Sequence, residues 1–194
     1  MLIFYYFNFK SKIGNFYSIF KEDNKNSFKS FCNNYSYDTG DFFICYLGLG
    51  ENNFKNYVEK IRMKFKDIEL VYKVNEKIKN EVLSYLRGDK KVLNLKPYFL
   101  TGSRFEQAVW MKASEIPYGS TLSYKELSFN VSQIIGKQNS YRAVGNALGK
   151  NPLIIIVPCH RIIKSNGELG YFSSGVEIKK ALIGLEKEQK IKKI

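Results

Sequence analysis

A chain of 194 residues, 44% of them hydrophobic, is long enough for one large domain or two small ones around a buried core. Three cysteines without a CxxC pair exclude a disulfide framework and a cysteine-based zinc site. The 31 Lys and Arg against 18 Asp and Glu leave a net charge of +13, which suits polyanionic partners, nucleic acid first.

The opening MLIFYYFNF is apolar, but no basic segment precedes it and no small-residue cleavage site follows. No apolar run approaches the length of a membrane span. The expectation is a soluble, cytoplasmic protein in a reducing compartment, nucleoid-associated or nuclear as the host allows, with no membrane partner. Leu2–Phe9 and Phe42–Leu47, rich in β-branched and aromatic residues, predict strands. Phe54, Val58, Ile61 and Phe65 fall at helical spacing and predict a helix over Phe54–Phe65. Ile68–Lys73 predicts a strand. Val74–Arg87 predicts a second helix, with Val82, Leu83 and Leu86 inward and Gly88 as its stop. This half holds Cys32 and Cys45 but no plausible base, and nothing in it reads as catalytic.

A boundary falls near Leu95–Thr101, where Pro97 interrupts and the pattern turns mainly helical. Three capping boxes follow, Ser103/Glu106, Ser123/Glu126 and Ser174/Glu177. In each, the serine oxygen can accept from an orphan N–H while the glutamate reaches back. They predict helices at about 104–115, 124–130 and 175–189. Between the last two, Ser140–Gly149 offers Val144, Ala147 and Leu148 as one apolar face, so that 124–149 reads as a helix-turn-helix candidate carrying an exposed arginine. From Thr101 onward there are 14 basic and 7 acidic residues, +7 of the total, so charge alone does not localise a nucleic-acid contact.

The chain's single histidine, His160, directly follows Cys159. A free thiol is mostly protonated at neutral pH and needs a base or a positive charge to become a nucleophile. Adjacent residues on a strand point to opposite faces, so a water would bridge the sulfur to the imidazole. The imidazole then needs a carboxylate to orient it. Glu177 and Glu186 are the candidates on the last helix, and with Glu177 assigned to a cap, Glu186 is favoured.

"IPYGSTLSYKEL" (116–127), "RAVGNALGKNP" (142–152), "VPCHRIIKSNGELG" (157–170) and "SSGVEIKKALIGLE" (173–186) together resemble the O6-alkylguanine-DNA alkyltransferases, in the family's order and near its spacing. The resemblance covers about residues 101–188. It implies an α+β protein: an N-terminal α/β, ribonuclease H-like domain (1–98), then a mainly helical, winged-helix-like domain with a helix-turn-helix (99–194). It implies repair of DNA by irreversible transfer of an alkyl group from O6 of guanine, or O4 of thymine, to Cys159, once per protein molecule. His160 would take the thiol proton through water and Glu186 would orient it. Asn151 matches a hinge asparagine between recognition helix and active-site strand. Tyr124 matches a tyrosine that helps rotate the nucleotide and donates to the leaving base. Because the target atom lies inside a stacked duplex, the nucleotide must be flipped out, and Arg142 matches the finger that replaces it. Ala143, Gly145 and Ala147 would let the helix approach the minor groove.

Pro158, Val157, Ile154, Tyr171, Phe172, Ser173 and Ser174 would line the substrate pocket. The sequence departs from the family at several of these. The usual tyrosine has two counterparts, Tyr171 and Phe172, of which gap-free spacing picks Phe172. Ser173 and Ser174 stand where glycine is common, and Ile154 replaces a proline. The loop Phe129–Asn139 reads as about four residues longer than in compact relatives. A zinc carried by some members lacks its ligands here, so no metal or cofactor is expected. The expected partner is double-stranded DNA containing O6-alkylguanine, bound by a monomer. The rival functions are a cysteine hydrolase and a damaged-DNA-binding protein without catalysis.

Overall fold

The computed structural model describes residues 1–22, 42–136 and 140–191; Cys32 and the end of the predicted 129–139 loop lie outside them. Strands β1 (Leu2–Ser11), β2 (Gly14–Glu22), β3 (Phe42–Leu49) and β4 (Ile68–Tyr72) form one sheet in the order β3-β2-β1-β4. The pairs β1–β2 and β2–β3 are antiparallel and β1–β4 is parallel. β2 is an addition to the sequence expectations. Its run Phe16–Phe20 is buried on both sides of the sheet and so shows no two-residue alternation to read.

Helix α1 (Glu51–Lys64) starts three residues before its first predicted position. With Tyr57 and Ile61 it packs on the sheet face made by Phe4, Ile19, Cys45 and Tyr46. Helix α2 (Glu76–Arg87) is capped by Asn75, whose side chain accepts from the Ile78 N–H. It ends at Gly88, whose φ of 86° is the left-handed C-terminal conformation expected there. Helices α3 (Arg104–Ser114) and α4 (Tyr124–Ile135) both open with the complete Ser/Glu box, each worth on the order of 1 kcal/mol. α4 runs five residues past its predicted end, so most of 129–139 is helix rather than loop. Helix α5 (Tyr141–Gly149) is capped by Ser140.

The third predicted box does not form. Helix α6 (Val176–Ile191) begins after Gly175, which sits at φ 99°, leaving Ser174 and Glu177 out of register. Two short parallel strands, β5 (Leu122–Ser123) and β6 (Ile162–Ile163), tie the start of α4 to the segment ahead of α6.

The sheet positions the second half through the free edge of β3. The Ile44 N–H donates to Lys96 O and receives Tyr98 N–H at its carbonyl. Three residues on, the Leu47 N–H donates to Pro152 O and Leu47 O accepts the Ile154 N–H, both at 2.9 Å. One apolar core therefore runs from Phe7, Phe16 and Ile44 through Tyr85 and Val109 to Leu153, Val157 and Leu182. The edge that could have templated aggregation is used instead to hold residues 151–158.

Candidate active site

The segment between Asn151 and Cys159, expected as the active-site strand, forms a tight loop instead. Ile154 bridges Val157, and Ile155 is left-handed at φ 73°, a conformation a β-branched residue adopts only under constraint. Asn151 supplies much of that constraint. Its Nδ2 donates to Val157 O at 2.9 Å and to Cys159 Sγ at 3.1 Å, while its Oδ1 accepts the Leu153 N–H at 2.9 Å. Pro158 then starts a single 3-10 turn, Cys159–Arg161, in place of strand geometry. Successive residues diverge around this turn, so Cys159 and His160 face different neighbours.

His160 is fully buried, and its Nε2 lies 2.6 Å from Oε1 of Glu186. Burial alone would raise the Glu186 carboxyl, yet His160 and Arg161 outweigh it and hold it at about 2. An ionised carboxylate only accepts, so Nε2 carries the proton and Nδ1 the lone pair of the neutral ring. Nδ1 is buried and has no hydrogen-bond partner in the protein. Burial pulls the imidazole down from its ordinary value, against the upward pull of Glu186, so it is neutral and able to accept. Burial likewise pushes the Cys159 thiol up, against the Asn151 donor and the charge of Lys179. At rest the site holds a thiol and a free base, not a thiolate.

Three buried residues outside the sequence expectations complete the arrangement. Arg161 donates from Nε to Glu186 Oε2 at 3.0 Å and from Nη2 to Oε1 at 3.1 Å. Its Nη1 reaches Ile116 O at 2.6 Å. Lys179, fully buried, donates to Ile162 O at 2.5 Å and lies 5.6 Å from the Tyr124 ring centre. Burial lowers its ammonium to about 8, against the pull of Cys159. Tyr85, from α2, donates to Oε1 of Glu186, so the N-terminal half does contribute to the site. A further donor to Glu186, the Gly119 N–H at 2.8 Å, comes from the turn ahead of β5. Two signals were available in the sequence. A charge inside "IIIVPCHRII" has to be paired if it is buried. Lys179, Leu182 and Glu186 share one helical face.

The remaining site candidates divide. Tyr124, the first residue of α4, packs so closely on Gly170 that a Cβ there would come within 2.4 Å of its hydroxyl. Burial and the neighbouring Cys159 push its phenol up, which keeps it a donor. Arg142 is exposed in the first turn of α5, and Ala143 and Gly145 are half-buried beside it. A Cβ at Gly145 would make only ordinary contact with Tyr124, so packing does not require that glycine. Ala147 is a correction. It is 2% exposed, its carbonyl accepts the Trp110 Nε1–H at 2.8 Å, and it faces the core, not a groove. Phe172 is buried while Tyr171 is 75% exposed. Ser173 and Ser174 are half-buried, and Ile154 and Val157 belong to the core. Pro158 lines a cavity of about 280 Å³ with Tyr85, Tyr118 and Arg161 that does not include Cys159. Among the described residues no group of three or more His, Cys, Asp or Glu could hold a metal ion, and no helix is long and apolar enough to cross a membrane.

Residues 104–188 match the family model described as the 6-O-methylguanine DNA methyltransferase DNA-binding domain. The inducible methylated-DNA–protein-cysteine methyltransferase of Bacillus subtilis is 42% identical over 107 residues, 55% of this chain and 57% of that protein. The chain thus spans little more than half the length of that relative. The methylated-DNA–protein-cysteine methyltransferase of Kluyveromyces lactis is 32% identical over 146 residues, 68% of this chain and 75% of its own length. The crystal structure of Mycobacterium tuberculosis OGT in complex with DNA superposes with a TM-score of 0.68 at 25% identity, covering 97% of this chain and 94% of that one.

Proposed function

The chain belongs to the methylated-DNA–protein-cysteine methyltransferase family, and from that premise we propose that it repairs O6-alkylguanine in duplex DNA by moving the alkyl group irreversibly to Cys159. The observation that carries this reading is the buried Glu186–His160 pair, which fixes a proton on Nε2 and leaves Nδ1 as a base in the residue after the thiol.

The chemistry follows from the protonation states. The thiol gives its proton to Nδ1 through an intervening water, and Glu186 stabilises the imidazolium that forms. Asn151 and Lys179 stabilise the negative sulfur. The sulfur attacks the alkyl carbon, an S–C bond forms, and the C–O6 bond breaks with its electron pair going to the base. Tyr124 donates a proton to the departing guanine and is reprotonated from the imidazolium, so the thiol proton ends on the base. The product is a thioether, which has no easy leaving group, and the protein reacts once.

Reaching O6 requires flipping the nucleotide, which costs a few kcal/mol of unstacking. Arg142, exposed at the start of α5, fills the stack, with Ala143 and Gly145 lying against the minor groove. The test is methyl transfer from a duplex labelled on O6-methylguanine. Label should pass to the protein in one-to-one amount, Cys159→Ser should take none, and sustained turnover would sink the proposal in favour of a hydrolase.

A further inference from the structure

Glu186 is buried and held by donors from three parts of the chain, one of which lies in the N-terminal half. Tyr85 stands on α2, 1% exposed, and its hydroxyl donates to Oε1, the same oxygen that takes the His160 Nε2 proton. That hydroxyl is also 3.4 Å from Nε2 itself. Its ring meets Tyr118 edge-on at 5.8 Å, and the Tyr118 face lies 5.6 Å from the Arg161 guanidinium. Burial and the adjacent carboxylate both push the phenol up, so it stays protonated and can donate to Oε1.

Oε2 is held by the Gly119 N–H and by Arg161, both fixed by backbone or by the Ile116 carbonyl. Oε1 is the oxygen that aims the imidazole, and beyond the ring itself it is held by Arg161 and Tyr85. The Arg161 contacts to it, at 3.1 and 3.2 Å, are longer than the 2.6 Å contact to the ring. We propose that Tyr85 is a positioning residue for the alkyl transfer: its hydroxyl fixes Oε1 of Glu186 so that His160 keeps Nδ1 free towards the thiol. The N-terminal half thereby completes the relay rather than only supporting it. The proposal rests on the alkyl-transfer reading above.

Removing the hydroxyl has two consequences. The carboxylate gains freedom, so the imidazole spends less time in the productive pose. Its charge is also less dispersed, so it holds a proton on His160 more firmly and the ring is protonated at higher pH, where it cannot accept from the thiol. The charged and titratable groups facing the imidazole are Glu186 and Lys179 on α6, Arg161 on its own turn and Tyr85 on α2. Tyr85→Phe keeps the ring against Tyr118 and leaves the other three in place.

The experiment measures single-turnover methyl transfer by the full chain across mildly acidic to neutral pH, with duplex affinity alongside. Tyr85→Phe should react about tenfold more slowly at neutral pH, the expected scale for one lost hydrogen bond to a charged group. Its acidic limb should move to higher pH while duplex affinity stays unchanged. In a Glu186→Gln background the same change should cause no further loss. A wild-type rate and pH profile in Tyr85→Phe, or equal fold losses in both backgrounds, would overturn the proposal. Because His160 is the only histidine, nitrogen NMR reads its tautomer and titration from a single ring without reference to catalysis. A higher titration midpoint in Tyr85→Phe supports positioning, and an unchanged midpoint overturns it. If the wild type moves no methyl group, the functional reading fails, and the NMR titration still decides the role of Tyr85.

Discussion

Methylating Cys159 should loosen the protein. The Cys159 residue is 4% exposed and its sulfur accepts from Asn151 Nδ2 at 3.1 Å, so a methyl on sulfur displaces that amide. The same amide group spans to Val157 O and Leu153 N–H, and the loop it closes carries Ile155 at φ 73°. Forcing a methyl into a close-packed site costs about 1–3 kcal/mol. A lost hydrogen bond adds roughly 1 kcal/mol. For a chain of this size each kcal/mol moves Tm by about 2–4 °C, so alkylated protein should melt roughly 5–10 °C lower. Since Asn151 follows directly on α5 and Lys150, the loosening should appear first in the helix-turn-helix. The assay is thermal unfolding before and after reaction with an equimolar O6-methylguanine duplex, together with limited proteolysis. New cleavage within 140–152 is expected only after reaction. Bulkier alkyl groups should lower Tm further. Identical melting and digestion of the two forms would show that the methyl group is accommodated without strain.

Arg142→Ala should slow repair of duplex DNA far more than reaction with free O6-methylguanine or a single strand, since only a stacked duplex has to be opened; equal losses on all three would assign Arg142 to general binding or to structure. Affinity for undamaged duplex should fall steeply with salt and vary little with sequence, because the net charge of +13 acts on phosphates; a strong preference for one undamaged site in a competition assay would favour a regulator. Glu186→Gln leaves Arg161 buried without its counter-charge and should cost about 3–5 kcal/mol in urea unfolding at neutral pH. Glu186 is held at about 2 in the folded chain against an ordinary 4.5, so its contribution is complete above pH 4.5 and is lost as pH falls towards 2. The gap between variant and wild type should therefore narrow in acid, and a gap that is constant with pH would contradict the assignment.

What could be read from the sequence was what depends on neighbours in the chain. Ser103/Glu106 and Ser123/Glu126 form their boxes because both partners sit within one turn, and Gly88 ends α2 for an equally local reason. Ser174/Glu177 carries the same signature and fails, because Gly175 supplies a left-handed start one residue later. That cap is the sequence ground for preferring Glu186 over Glu177. The choice agrees with the structure although the ground for it does not. The segment after Asn151 is a strand by the family resemblance, but the Asn151 side chain and the free edge of β3 fold it into a loop. The partners of Arg161, Lys179 and Tyr85 lie 25, 17 and 101 residues away, so the sequence can mark Arg161 and Lys179 as charges in an apolar setting but cannot pair them, and it marks Tyr85 not at all. Ala147 is small enough for the groove contact the resemblance implies, but it is 2% exposed and belongs to the core cluster that holds Trp110.

If the proposed chemistry operates, one thiol of this chain ends the reaction as a thioether. Mixing the protein with a slight excess of O6-methylguanine duplex, and following intact mass and peptide mass together, tests it most directly. The expected result is a gain of one CH₂ per protein molecule, located on Cys159, with Cys32 and the buried Cys45 unmodified and unmodified guanine left in the DNA. No mass gain while the lesion disappears, or a methyl group on any residue but Cys159, would contradict it.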